Sequence, residues 1–321
     1  MEQLKSKIKA KRNIKENTLN TYLRNIRVMS KDITGEEYKS LSFLNDFSKV
    51  KKYLETNKPS TKKNKLATIL VVLRLNEEKN EKLITKYLDY LSTISDAYYK
   101  QIGENKKTLK QSENWISGKD LSKIFNHYSR EIRDEGLNKV SKKVLDRREK
   151  DLLQRYLVVA LYTTIPPRRN VYADTKIITE PSFKKLAPDE RENNNYLVVK
   201  GRNTKYFSFG DYKTKKTHGT QKIPIPSKLN SILNIYLKYN DTGDWLLKNK
   251  SGGKLSRNGL TKFITKSFSI GKGRGKKIGS SLLRHIYISE NIDLKEYRKM
   301  KETADKMGHS VQEQHNYNKE D

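Results

Sequence analysis

The spacing of apolar residues changes character sharply after Pro166-Pro167. Up to Ile165 they recur at helical intervals; beyond the prolines they gather in short β-prone runs; from Leu229 the helical interval returns. Leu19, Tyr22, Leu23 and Ile26 fall at i, i+3, i+4 and i+7, with Asn17 or Thr18 as the cap. Pro59 opens a second helix with Leu66, Ile69, Leu70 and Leu73 on one face, and Ile84, Tyr87, Leu88 and Leu91 mark another. Ser117 reads as an N-cap with Asp120 three residues on. A long helix from about Val144 to Thr164 stops at the proline pair, which cannot continue it. Then come four runs, residues 171–178, 196–199, 206–209 and 221–225, with Gly219 in a turn. The expected fold is mainly α with a small antiparallel β-sheet (α+β). Residues 1–100 form a helical bundle, the aperiodic and charged stretch 101–113 is a linker, and 114–321 form a second domain.

Charge narrows the partner. Lys and Arg number 68 against 37 Asp and Glu, a formal net charge of +31, which calls for a polyanion. Part of that lysine excess also fits the Asn-, Ile- and Tyr-rich usage of an AT-rich genome. The 34% hydrophobic content, in periodic patterns, argues against disorder. No apolar run approaches the ~18–20 residues of a spanning helix, so no membrane partner is expected. The polar start Met1-Glu2-Gln3-Leu4-Lys5 lacks a signal peptide's apolar centre. With no cysteine, disulfides and cysteine-ligated zinc are excluded, and an intracellular protein associated with DNA is expected. Asp241 and Asp244 lie in an Asn-Asp-Thr-Gly turn context, which accounts for them without a metal.

Three clusters carry chemistry: Pro166-Pro167-Arg168-Arg169, Leu283-Arg284-His285, and Met307-Gly308-His309-Ser310 followed by Tyr317. Metal-free attack on a phosphodiester needs a nucleophile, positive donors for the charge developing on phosphorus oxygens, and an acid for the leaving oxygen. Arginine suits the second role because its planar fork holds two oxygens and stays charged. A phenol with a pKa near ~10 needs that cationic surround to act as a nucleophile.

The order and spacing of these clusters resemble the tyrosine recombinase (phage integrase) family, over most of the chain. The Pro-Pro-x-Arg-Asn-x-Tyr form resembles the branch found in large DNA viruses, virophages and related mobile elements. The resemblance implies a helical core-binding domain and a catalytic domain gripping opposite sides of double-stranded DNA, with self-association as dimer or tetramer and no cofactor. It assigns Arg169 and Arg284 as the catalytic arginines, His309 as a donor to the scissile phosphate and Tyr317 as the nucleophile. Lys213, in Asp211-Tyr212-Lys213-Thr214, is the implied acid for the 5′-oxygen, with Lys216 the alternative. Ser281 stands where the family's second box usually has histidine, the clearest departure from the pattern. His285 reads as a buried helix histidine, with a catalytic role as the alternative. Arg168, Lys62, Lys63, Lys65, Lys272 and Arg274 are expected DNA contacts. A site-specific recombinase or integrase is the first reading. A type IB topoisomerase-like enzyme and a non-catalytic DNA-binding protein derived from a recombinase are the alternatives.

Overall fold

The computed structural model describes residues 1–139 and 144–317. The chain divides into two compact units, Met1–Lys107 and Thr108–Asp321.

The first unit is all helix: α1 (Glu2–Lys11), α2 (Glu16–Thr34), α3 (Phe47–Glu55), α4 (Pro59–Leu73) and α5 (Glu77–Gly103). Helix α2 begins at Glu16 with Lys15 at the cap position, so Asn17 and Thr18 lie inside it; it ends at Gly35, whose φ of 76° closes the helix in the left-handed region. Pro59 occupies the first turn of α4, where its missing N–H costs nothing. Every residue from Ile69 to Leu73 is buried, so the second half of α4 is the centre of the bundle rather than one of its walls. Leu19, Ile26, Leu44, Leu54, Leu66 and Tyr87 pack around it, and the Tyr87 hydroxyl donates to the Leu44 carbonyl at 2.8 Å.

The expected linker is mostly helix. Helix α5 runs on to Gly103, and Thr108 caps α6 (Leu109–Asn114) with a reciprocal capping box to Gln111. Only residues 104–108 between them are irregular. Polar helices give no apolar period, which is why composition alone suggested a spacer.

The second unit continues with α7 (Gly118–Asp134) and α8 (Arg147–Thr163). Ser117 Oγ accepts the Asp120 N–H, as its spacing predicts. Helix α8 is closed at its start by the Asp146–Glu149 capping box and is buried from Tyr156 to Tyr162. It stops ahead of Pro166-Pro167 as expected. Then come β1 (Thr175–Thr179), α9 (Glu180–Lys185), α10 (Pro188–Asn193), β2 (Asn195–Val199), β3 (Lys205–Phe209), α11 (Lys215–His218) and β4 (Gln221–Pro224). The sheet order is β1-β2-β3-β4, but β1 and β2 run parallel, Thr175 opposite Asn195, while the other pairs are antiparallel. The sheet is therefore mixed, not antiparallel. The cause is the helical crossover α9–α10: with Pro181 and Pro188 in their first turns, these helices carry the chain back to start β2 beside the start of β1.

Helices α12 (Ser227–Leu237), α13 (Arg257–Ser267), α14 (Ser280–Asn291), α15 (Leu294–Lys306) and α16 (Val311–Tyr317) complete the chain. One core joins α7, α8, α12, α13 and α14 to the inner face of the sheet through Leu157, Leu161, Phe207, Leu233, Ile264 and Ile286. No helix among the described residues is long and apolar enough to cross a membrane.

Candidate active site

The segment after α8 is where the two arginines are set. Thr163 and Thr164 turn their hydroxyls back onto the carbonyls of Val159 and Ala160, at 2.8 and 2.7 Å, tightening the helix end. The proline pair then forces extended backbone. Arg168 turns inward: it donates to Gln221 Oε1 at 2.6 Å, and its guanidinium lies over Phe209 at 4.6 Å and Tyr212 at 5.5 Å. That geometry makes Arg168 a clasp between the proline segment and the β3–β4 ribbon. Its expected role as a DNA contact gives way to this structural one.

Arg169 is exposed, and half-buried Arg284 from α14 lies within reach of its charge. The Arg284 pKa is held below its ordinary value, first by desolvation and then by Arg169, with Tyr162 opposing. Arg284 Nε also donates to the Ser280 carbonyl at 3.3 Å. Tyr162, which feels the Arg284 charge, is in edge contact with Tyr172 at 5.6 Å, and both buried hydroxyls find no hydrogen-bond partner. Burial raises both phenols, strongly for Tyr162, where the Arg284 charge opposes the rise only in part. Arg284, from a distant stretch of the chain, thus lies close enough to Arg169 to feel its charge.

The β3–β4 connection bearing Lys213 is anchored at its root. Asn195 Oδ1 accepts the N–H groups of Gly210 and Asp211 at 3.1 and 2.9 Å, and its Nδ2 donates to the Asp211 carbonyl at 2.9 Å. Residue 210 has to be glycine, since a Cβ there would sit 2.2 Å from the Glu192 carbonyl oxygen. Arg257 pairs with Asp174 through Nε and with Asp211 through Nη2 at 2.7 Å. Asn170, next to Arg169, donates to the Arg257 carbonyl at 2.9 Å. Arg257 therefore ties the arginine segment to the lysine loop. Sequence reading passed it over, because an arginine in so basic a chain looks like any other. Lys213 and Lys216 extend from this anchored loop, both exposed.

The Gly-His-Ser turn has its own backbone logic. Gly308 adopts φ 73°, ending α15 in the left-handed region, and the His309 N–H returns to the Ala304 carbonyl at 3.1 Å. Ser310 Oγ then accepts the Glu313 N–H at 3.1 Å and starts α16. Two turns of that helix bring Tyr317 back beside His309, ring centroids 5.6 Å apart. His309 Nε2 is buried and unpartnered. Tyr317 is 65% exposed.

The four central residues thus form two pairs, Arg169 with Arg284 and His309 with Tyr317. Among the described residues, no hydrogen bond, ion pair or ring contact joins residues 294–317 to either arginine. That tail hairpin is lightly packed: Ala304 is its single buried residue among those described, while Tyr297 and Met307 are exposed. Ser281 is exposed one turn before Arg284. His285 is exposed too, not buried, because it sits on the solvent side of α14 between Leu283 and Ile286.

Lys65 is corrected in the same way. It is buried, donating to the Tyr53 hydroxyl and to Asn57 Oδ1 at 2.9 Å, and burial lowers its pKa. It braces the first unit instead of facing DNA. Lys62 is half-buried, and Lys63 lies over the Tyr99 ring at 4.0 Å. Lys272 and Arg274 project from the glycine loop, exposed as expected. Among the described residues no group of three or more His, Asp or Glu could hold a metal ion. Comparison of the chain with protein-family models, with curated proteins and with solved structures gives no match.

Proposed function

We propose that this chain is a site-specific DNA recombinase of the tyrosine type, and the observation that carries the reading is that Arg284 lies within reach of the Arg169 charge. Two adjacent guanidiniums repel each other until an anion lies between them, and a phosphodiester supplies both the charge and the fork geometry. In this reading the Tyr317 phenol loses its proton to water and its oxygen attacks the phosphorus. The bond to the 5′-oxygen breaks, and Lys213 protonates that leaving oxygen. A 3′-phosphotyrosine and a free 5′-hydroxyl result, and a 5′-hydroxyl from a partner strand reverses the step. The phosphoester bond is conserved in the linkage, so ATP is not required. Three features support the assignment: Arg284 within reach of the Arg169 charge, the anchored lysine loop, and the Tyr317–His309 contact.

A duplex nicked close to the cleavage site tests it, because the short released strand diffuses away and traps the adduct. The full chain is expected to form a protein–DNA adduct stable to denaturant, and Tyr317→Phe to form none while still binding. No adduct on any site of a randomised duplex library would leave only the non-catalytic DNA-binding alternative. Relaxation of a plasmid by monomer without synapsis would favour the topoisomerase-like alternative.

The anchoring of Lys213 makes a second prediction. Arg257→Gln is expected to slow adduct formation about 10–100-fold, because small misplacements of a reacting group carry penalties of that order. Arg257→Lys should recover only part, since an ammonium cannot fork between Asp174 and Asp211. Single-turnover cleavage at saturating protein separates this from weaker DNA binding.

A further inference from the structure

A cleft of about 1330 Å³ opens in the second unit between the start of α8, the outer face of α13 and the loop 248–252. Its floor is apolar, with Leu145, Leu153, Leu255 and Phe263. Its walls carry cations that no role above has used. Three are neutralised: Arg148 pairs with Glu135 at 2.5 Å, Arg155 with Asp151 at 2.6 Å, and Lys248 with Asp244 at 2.5 Å. Arg147, Lys150, Lys250, Lys262 and Lys266 also line it, are exposed, and make no ion pair among the described residues.

Their placement runs against local stability. Arg147 and Lys150 stand exposed in the first turn of α8, where the helix dipole disfavours cations, although Asp146 and Glu149 cap the same turn. Lys262 and Lys266 are like charges at i and i+4 on α13, a destabilising pair. Loop cations scattered by composition would not converge in this way on one concave surface. The same helix α13 presents Arg257 and Thr261 on another face, toward the arginine segment through Asn170.

We propose that this cleft binds a nucleic-acid backbone, as a surface separate from the arginine pair. It exceeds the ~300–1,000 Å³ that one small ligand fills. Its cations line the walls instead of converging on a point, as a chain of phosphates requires, and the apolar floor with Phe263 suits sugar and base faces. The source of the backbone is a duplex or a single strand. The proposal concerns binding alone and does not depend on Tyr317 chemistry.

The test measures fluorescence anisotropy of a labelled 20-nucleotide single strand and its duplex across a potassium chloride series. It uses the full chain carrying Tyr317→Phe so that no covalent product accumulates. Adding Lys262→Glu and Lys266→Glu is expected to weaken binding at least tenfold. It should also flatten the dependence of log affinity on log salt by about 1.8 for a duplex or 1.4 for a single strand, two lost phosphate contacts. The charge-matched control, Lys184→Glu with Lys185→Glu on α9, is expected to change affinity less than twofold. Whichever nucleic acid shows the larger loss identifies the source. Equal losses in cleft and control variants, or no loss in the cleft variant, would overturn the proposal. Thermal unfolding of each variant confirms that the exposed substitutions leave the fold intact. Because the readout needs no cleavage, a failed adduct assay leaves this result standing.

Discussion

Arg169→Ala and Arg284→Ala are each expected to slow adduct formation by about 10²–10³-fold, the usual cost of removing one preorganised donor from a developing oxyanion. The two effects should not add. In the proposed function both guanidiniums work on the same phosphate, so removing the second after the first costs less than it does alone. Lysine at either position should recover little, because a point charge cannot hold two oxygens at once. Single-turnover kinetics on the nicked duplex reads all four enzymes, the double variant included. Loss of the arginine pair should weaken DNA binding far less than it slows cleavage, since most affinity comes from other phosphate contacts. Full activity in Arg284→Ala would remove the central support for the proposed function.

Lys205→Met is expected to lower stability by about 1–3 kcal/mol, the usual penalty for leaving buried acceptors without a donor. Lys205 begins β3 with only 4% of its surface exposed. Its ammonium donates to the carbonyl of Arg202 at 2.7 Å, to Asn230 Oδ1 at 2.8 Å and to Asn234 Oδ1 at 2.6 Å. No carboxylate is among these partners, and burial lowers the lysine pKa. Methionine matches the stem but leaves those oxygens without a donor. Chemical denaturation with an unchanged m-value would measure the loss directly. A change below about 1 kcal/mol would mean that water replaces the ammonium. Lys205 belongs to the β2–β3 hairpin and Lys213 to the β3–β4 connection, so the two variants together separate a brace from the proposed acid. Lys213→Ala should abolish most cleavage with the fold intact, and Lys205→Met should do the reverse.

Much of the helical framework was legible because burial and periodicity coincide. Ser117, Pro59 and the stop at Pro166-Pro167 are local rules, and the structure obeys them. Strand partners were not legible. Period-two alternation says that a segment is a strand but not which way its neighbour runs, and the parallel β1–β2 pair was decided by the two short helices between them. Lysines show the same limit. Lys65, Lys205 and Lys213 look alike in sequence, yet one braces a bundle, one is caged by neutral oxygens and one stands exposed. What distinguishes them is the set of oxygens that folding gathers around each ammonium, and those come from residues far along the chain. The candidate site was legible only as residue types at a given spacing, and the motif separates Arg169, which is exposed, from half-buried Arg168. The aromatic platform holding Arg168 away from the surface could not be seen, since Phe209 and Tyr212 meet it only after the ribbon forms.

His309 and Tyr317 share one short hairpin whose internal hydrogen bonds do not involve the arginines. Histidine and phenol consequently travel as a single cartridge. Under the proposed function, their mutual spacing arrives ready-made wherever that cartridge is seated, and arming the site takes one docking step instead of two independent alignments. On that reading DNA is held uncut until the cartridge is seated.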